Sequence, residues 1–129
     1  MKQFIISLAL GLSACLMISG CRGLPAIPAD IETTAGKYRS LKSIKGHYTG
    51  GQWNPMVDQW QGEKHQLMDA LARYIEESEL SKEALIRLMG EPDEWRNNSA
   101  IFYWRGKHDY LIVHCESICQ RTSWFHVGE

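Results

Sequence analysis

Apolar positions along this chain follow three successive patterns. Phe4 to Ile18 is a nearly continuous apolar run. From Glu63 to Glu77 the apolar residues recur at three- and four-residue steps, Leu67, Leu71 and Tyr74 beside Met68, Ala72 and Ile75. That spacing predicts a helix with one apolar face. Acids at Glu76, Glu77 and Glu79 oppose the dipole at its C-terminal end, so it should stop there. A second helix is predicted from Ser81 as N-cap, with Leu80 stapling onto Leu85 and Ala84, Leu85, Leu88 and Met89 as the buried stripe. Gly90 supplies a left-handed stop and Pro92 prevents resumption. After Pro92 the period becomes two. Ala100–Arg105, Asp109–Cys115 and Cys119–Val127 read as strands joined by short polar loops, and Trp95 could begin the first strand early with a break at Asn97-Asn98. The predicted fold is α+β: two helices packed on a three-stranded antiparallel meander, ααβββ.

Three-residue loops in both hairpins would set Tyr103 opposite Leu111, Ile101 opposite Val113 and Cys115 opposite Cys119. One sheet face then carries Ile101, Tyr103, Leu111, Val113, Phe125 and the two cysteines. The other carries Phe102, Trp104, Tyr110, Ile112, Thr122 and Trp124. Both are apolar, and two helices can cover only one, so the other must be covered by the aromatic segment Trp53–Trp60 or by a partner protein. Leu111, Val113 and Cys115 are expected to face the helices. The aromatic face, with Trp53 and Trp60 from the segment Gly46–Gly62, is the expected partner-binding surface. A one-residue slip would exchange the faces.

The N-terminal run has the outline of a secretory signal: a basic start at Lys2, an apolar core, then small residues. It is too short and too interrupted for a membrane span. Ile18-Ser19-Gly20-Cys21 resembles a bacterial lipobox, in which the cysteine is acylated and becomes the first mature residue. Leu12-Ser13-Ala14-Cys15 offers a second such site. Cys21 is preferred because cleavage there leaves a fuller apolar core and a polar-tolerant start, Cys21-Arg22-Gly23. The expected organisation is a signal peptide over 1–20, a flexible tether over 21–45 and a small domain over 46–129. Lys37, Arg39, Lys42 and Lys45 make a basic segment that could meet anionic head groups.

Lys+Arg 14 against Asp+Glu 15 gives no charge argument for nucleic acid. With Cys15 removed and Cys21 acylated, Cys115 and Cys119 remain in an oxidising compartment, where a disulfide across the hairpin is expected. A metal site from His114, Cys115, Cys119 and His126 is disfavoured, since adjacent strand residues point to opposite faces. No phosphate-binding glycine loop, nucleophile elbow or zinc-protease motif is present. His65 and Asp69 could hydrogen-bond at i, i+4, and Asp58 with Glu63 could be drawn as an acid–base pair, but each reads as an ordinary polar pair or cap. The sequence points to no catalytic residue, cofactor or metal.

Ser81-Lys82-Glu83-Ala84-Leu85-Ile86-Arg87-Leu88-Met89-Gly90-Glu91-Pro92, followed by Ile101-Phe102-Tyr103-Trp104 and by Leu111-x-Val113-x-Cys115, resembles the BamE (SmpA/OmlA) family of small lipoproteins. The resemblance implies a lipid-anchored, periplasm-facing outer-membrane protein, a non-enzymatic accessory subunit supporting β-barrel assembly through an envelope protein partner. The alternative expectation is a secreted inhibitor or stress-linked binder of an envelope enzyme, blocking it through Trp104 and Trp124.

Overall fold

Helical spacing in the chain begins well before Leu67. In the computed structural model, which describes residues 26–127, Ala29–Leu41 forms helix α1. Ala35, Tyr38 and Leu41 on its inner side are buried, and Ile31 packs against the core. The tether expected over 21–45 is corrected accordingly: most of its second half is a packed helix. Its signal is weak because Pro28 at the N-cap gives no side-chain cap and Gly36 interrupts it. Thr33 and Thr34 turn their hydroxyls back onto the carbonyls of Ala29 and Asp30. A helix this short holds through tertiary packing rather than propensity.

A turn of 3-10 helix, His47–Thr49, and the single turn α2, Pro55–Asp58, lead into α3, Glu63–Glu76, and α4, Lys82–Met89. Helix α3 buries Met68, Leu71, Ala72 and Ile75 as its spacing predicts, and continues the buried face through Lys64 and His65. Helix α4 is capped as expected, Ser81 Oγ accepting from the Ala84 N–H at 3.1 Å. Its other end is closed from outside. Gly90 sits at φ +79°, and Lys42 Nζ donates to the carbonyls of Met89 and Glu91 at 3.3 and 2.6 Å. Arg39 donates to Leu88 O at 2.7 Å. Cations suit a helix C-terminus, where carbonyls lack intrahelical partners. Two of the four basic residues expected to meet head groups are therefore committed to pinning α1 on α4.

Four strands form an antiparallel meander in the order β1 (Glu94–Arg96), β2 (Ser99–Tyr103), β3 (Asp109–Cys115), β4 (Cys119–His126). The α+β class is as expected, with one strand more. Asn97, in the left-handed region at φ +53°, turns β1 into β2, so the expected break is a hairpin.

The register differs from expectation at two places. In the first hairpin the N–H groups of Trp104 and Arg105 both reach Asp109 O, which makes the loop four residues, Arg105 to His108. Phe102 then opposes Leu111, and Tyr103 opposes Tyr110. In the second, Cys115 opposes Cys119 as predicted, but His114 opposes Arg121, leaving Gln120 unpaired in a bulge. Each one-residue change inverts a strand. Phe102, Trp104 and Trp124 thus join Leu111, Val113 and Cys115 on the helix side, while Tyr103, Tyr110 and Phe125 lie outside. The core runs from Tyr38 through Met68, Leu71, Leu85 and Leu88 to Phe102 and Leu111.

The outer sheet face is screened in part by its own side chains, with Phe125 left 42% exposed on it. Arg96 lies over the Tyr110 ring and donates to its hydroxyl at 2.8 Å. Tyr103 donates to Glu94 at 2.8 Å, and Phe125 stacks on Tyr110 with centroids 4.7 Å apart. With these laid across it, Ile101 is 1% exposed. Cys115 and Cys119 form a disulfide, S–S 2.01 Å, buried beside Leu80, whose carbonyl accepts from Cys119 N–H at 2.7 Å.

Candidate functional site

The segment between α1 and α3 has little regular structure and is nonetheless fixed. Asp58, buried, accepts from the N–H groups of Asn54 at 2.7 Å and His47 at 2.9 Å through one carboxylate oxygen. Gly46 lies so close to that carboxylate that a Cβ there would collide with it. Asn54 caps α2 by accepting from Met56 N–H at 3.0 Å. Asp58 is therefore a loop staple, neither a helix cap nor half of an acid–base pair with Glu63. On this pinned backbone Trp53, Met56 and Trp60 stay 52%, 41% and 49% exposed.

Trp60 also leans inward. Its ring stacks on His65, which packs in turn against Trp104 and Trp124, with centroids 4.7, 4.3 and 5.1 Å apart. Burial pushes the His65 imidazole below its usual range. Its Nδ1 accepts the Gln61 N–H at 3.2 Å, so the ring is neutral with its proton on Nε2. The pairing with Asp69 expected from the helix spacing is not made. Asp69 accepts instead from Trp124 Nε1 at 2.9 Å and ties α3 to β4. His126 stacks on Trp124 and meets buried Asp109 at 2.9 Å, whose second oxygen pairs with Arg105 at 2.7 Å.

Beyond Trp104 lies a cleft of about 270 Å³, between the end of α1, the pinned loop and the end of β2. Lys42, Lys45, Lys64 and Arg105 line it, with Asp58 and Asp93. Lys64 is buried, and its ammonium donates to Trp104 O at 3.0 Å. Burial lowers its pKa to about 8.

The expected site residues fare differently. Cys21 and Cys15 lie outside the described residues. Phe102 and Trp104 are 0% and 1% exposed and cannot be contact surface, and Tyr110 is on the opposite face from them. Trp124 is half-buried; only Trp53 and Trp60 stand out. Cys115 and Cys119, bonded to each other, offer no thiolate. His114 lies between the hydroxyls of Ser99 and Ser123, 3.2 and 3.1 Å away, across three strands. That is a cross-strand ladder without an orienting acid. Among the described residues no group of three His, Cys, Asp or Glu could hold a metal ion, and no helix is long and apolar enough to cross a membrane. Lys64 carried no sequence signal and Asp58 only that of a cap, since a lysine or aspartate near a helix start normally faces water.

No family model matches the chain, and no curated protein or solved structure matches it.

Proposed function

We propose that this protein is a non-enzymatic, lipid-anchored module of the bacterial envelope. Cys21 holds it to the periplasmic side of the outer membrane, and the segment Trp53–Trp60 binds a protein partner. The observation that carries the proposal is the exposure of Trp53, Met56 and Trp60 on a backbone fixed by Asp58. Large apolar groups held out on a preformed loop lose little freedom on docking, and tryptophan is enriched among residues that dominate interfaces. The lipobox at Cys21 supports the address. The helix ending Gly90-Glu91-Pro92, followed by an aromatic strand, supports a role like that of the BamE subunits in barrel assembly. Inhibition through Trp104 and Trp124 is the weaker reading, because Trp104 is enclosed.

Cross-linking in intact cells followed by purification should recover one outer-membrane partner. Trp60→Ala should weaken that association by about 2 kcal/mol or more, roughly thirtyfold, while leaving the protein in the membrane fraction. Undiminished recovery with both Trp53→Ala and Trp60→Ala would sink the proposal.

A further inference from the structure

The cleft beside Trp104 has hydrogen-bond donors without acceptors. Lys64 is buried with an ammonium that carries three N–H bonds, and one of them reaches Trp104 O. It makes no ion pair among the described residues. The acids that line the cleft are already engaged. Asp58 holds His47 and Asn54, and Asp93 accepts from the Tyr103 N–H at 2.7 Å. Arg105 is paired with Asp109. That leaves Lys42, Lys45 and Lys64 against two aspartates, an excess of positive charge in a partly enclosed space of about 270 Å³. Lys42 already donates to two carbonyls of the α4 terminus, so among the described residues that line the cleft Lys64 from within and exposed Lys45 at the rim are the free cations.

We propose that this cleft binds a single oxyanion, a carboxylate or phosphoryl group, with Lys64 as its inner contact and Lys45 at its mouth. An oxyanion is acceptor-only and charged, so it matches both the surplus donors and the surplus charge. The group could belong to a free small molecule or to a phospholipid head. Recognition is the same in both cases, and the source is open to test.

Inorganic phosphate and acetate are titrated separately into the full-length chain at constant ionic strength, and the Trp104 indole and lysine ammonium resonances are followed. Wild type should show a saturable shift with Kd on the order of 1 mM for at least one anion. Lys64→Met should weaken it about tenfold or more, the scale of one charge-assisted hydrogen bond. Lys45→Gln should weaken it severalfold, and Lys107→Gln, exposed and outside the cleft, should leave it unchanged. If Lys64→Met does not fold, Lys45→Gln against Lys107→Gln decides. No saturable shift in wild type, or equal losses in those two variants, overturns the proposal. In a second arm the full-length Cys21→Ser chain is mixed with phosphatidylglycerol or phosphatidylcholine vesicles. Retention on the former, displaced by phosphate and lost in Lys45→Gln, supports a lipid head as the source. Phosphate binding without retention supports a free anion.

Discussion

Lys64 shows how one side chain can be chemically unusual without a sequence signature. It opens α3, where the pattern of apolar positions gives no reason to bury it, and the end of β2 closes over it. Burial lowers its pKa from 10.5 to about 8, so the folded protein holds this proton less tightly than the unfolded chain. Between about pH 8 and 10.5 the unfolded chain binds the extra proton, and unfolding free energy rises with pH through that window. The cost of keeping the ammonium buried is therefore fully present below pH 8 and relieved above it. Its size is roughly 3 kcal/mol at most. Urea melts of wild type and Lys64→Met in phosphate- and carboxylate-free buffer should converge or cross in wild type's favour as pH rises through this window. Parallel stability curves would show that Lys64 titrates normally and is not buried as described.

At the scale of elements, α1 departs furthest from the sequence expectation and offers the clearest test. Tyr38 is fully buried between α1 and the rest of the core, with burial raising its phenol far above the usual range. Tyr38→Ala should cost about 3–5 kcal/mol, as large-to-small changes of buried aromatics do. A residue on a flexible tether would cost nothing, so thermal unfolding separates the two descriptions directly. Why α1 escapes the sequence is physical: its buried positions are a tyrosine, an alanine and a leucine diluted by Gly36 and two threonines, and it is held by contacts distant in the chain, Tyr38 in the core and Arg39 and Lys42 gripping α4. Helices α3 and α4 are legible because their stripes are strong and Ser81 and Gly90 mark the ends of α4. The pairing of Cys115 with Cys119 is legible too, since opposition across a short loop does not depend on the register of the strands beyond it. That register is not legible. A loop one residue longer than expected and the bulge at Gln120 inverted β2 and β4, moving Phe102 and Trp104 from surface to core. Alternation tells which residues share a face within one strand, but a sheet apolar on both sides cannot tell which face turns inward. Trp53 and Trp60 escape that ambiguity, because they sit on no strand.

At the scale of the whole molecule, α1 changes what an anchor at Cys21 would do. Only eight positions separate Cys21 from Ala29, where the packed helix begins. Fully extended, that length spans at most about 28 Å. An acylated Cys21 would therefore hold the domain close against the bilayer, rather than letting it range on a tether of 25 residues. Local concentration near a membrane-bound partner falls roughly as the −3/2 power of linker length, so lengthening this link by about 20 Gly/Ser residues should reduce it about sixfold. Three variants separate address, reach and contact. Cys15→Ser and Cys21→Ser together should abolish palmitate labelling and leave the chain unprocessed, larger by the retained segment 1–20, because the cut is made before the acylated cysteine. The long-linker variant should stay in the membrane fraction, but its cross-linking yield to the partner should fall severalfold. Trp60→Ala should keep both location and reach and lose the contact. If the long-linker chain cross-links as well as wild type, proximity to the bilayer does not govern the encounter. The partner would then have to be bound tightly enough to be saturated at either linker length, or to lie away from the membrane that holds Cys21; diluting solubilised membranes before the cross-linker is added distinguishes these, because only the saturated case keeps its yield until the concentration falls below Kd.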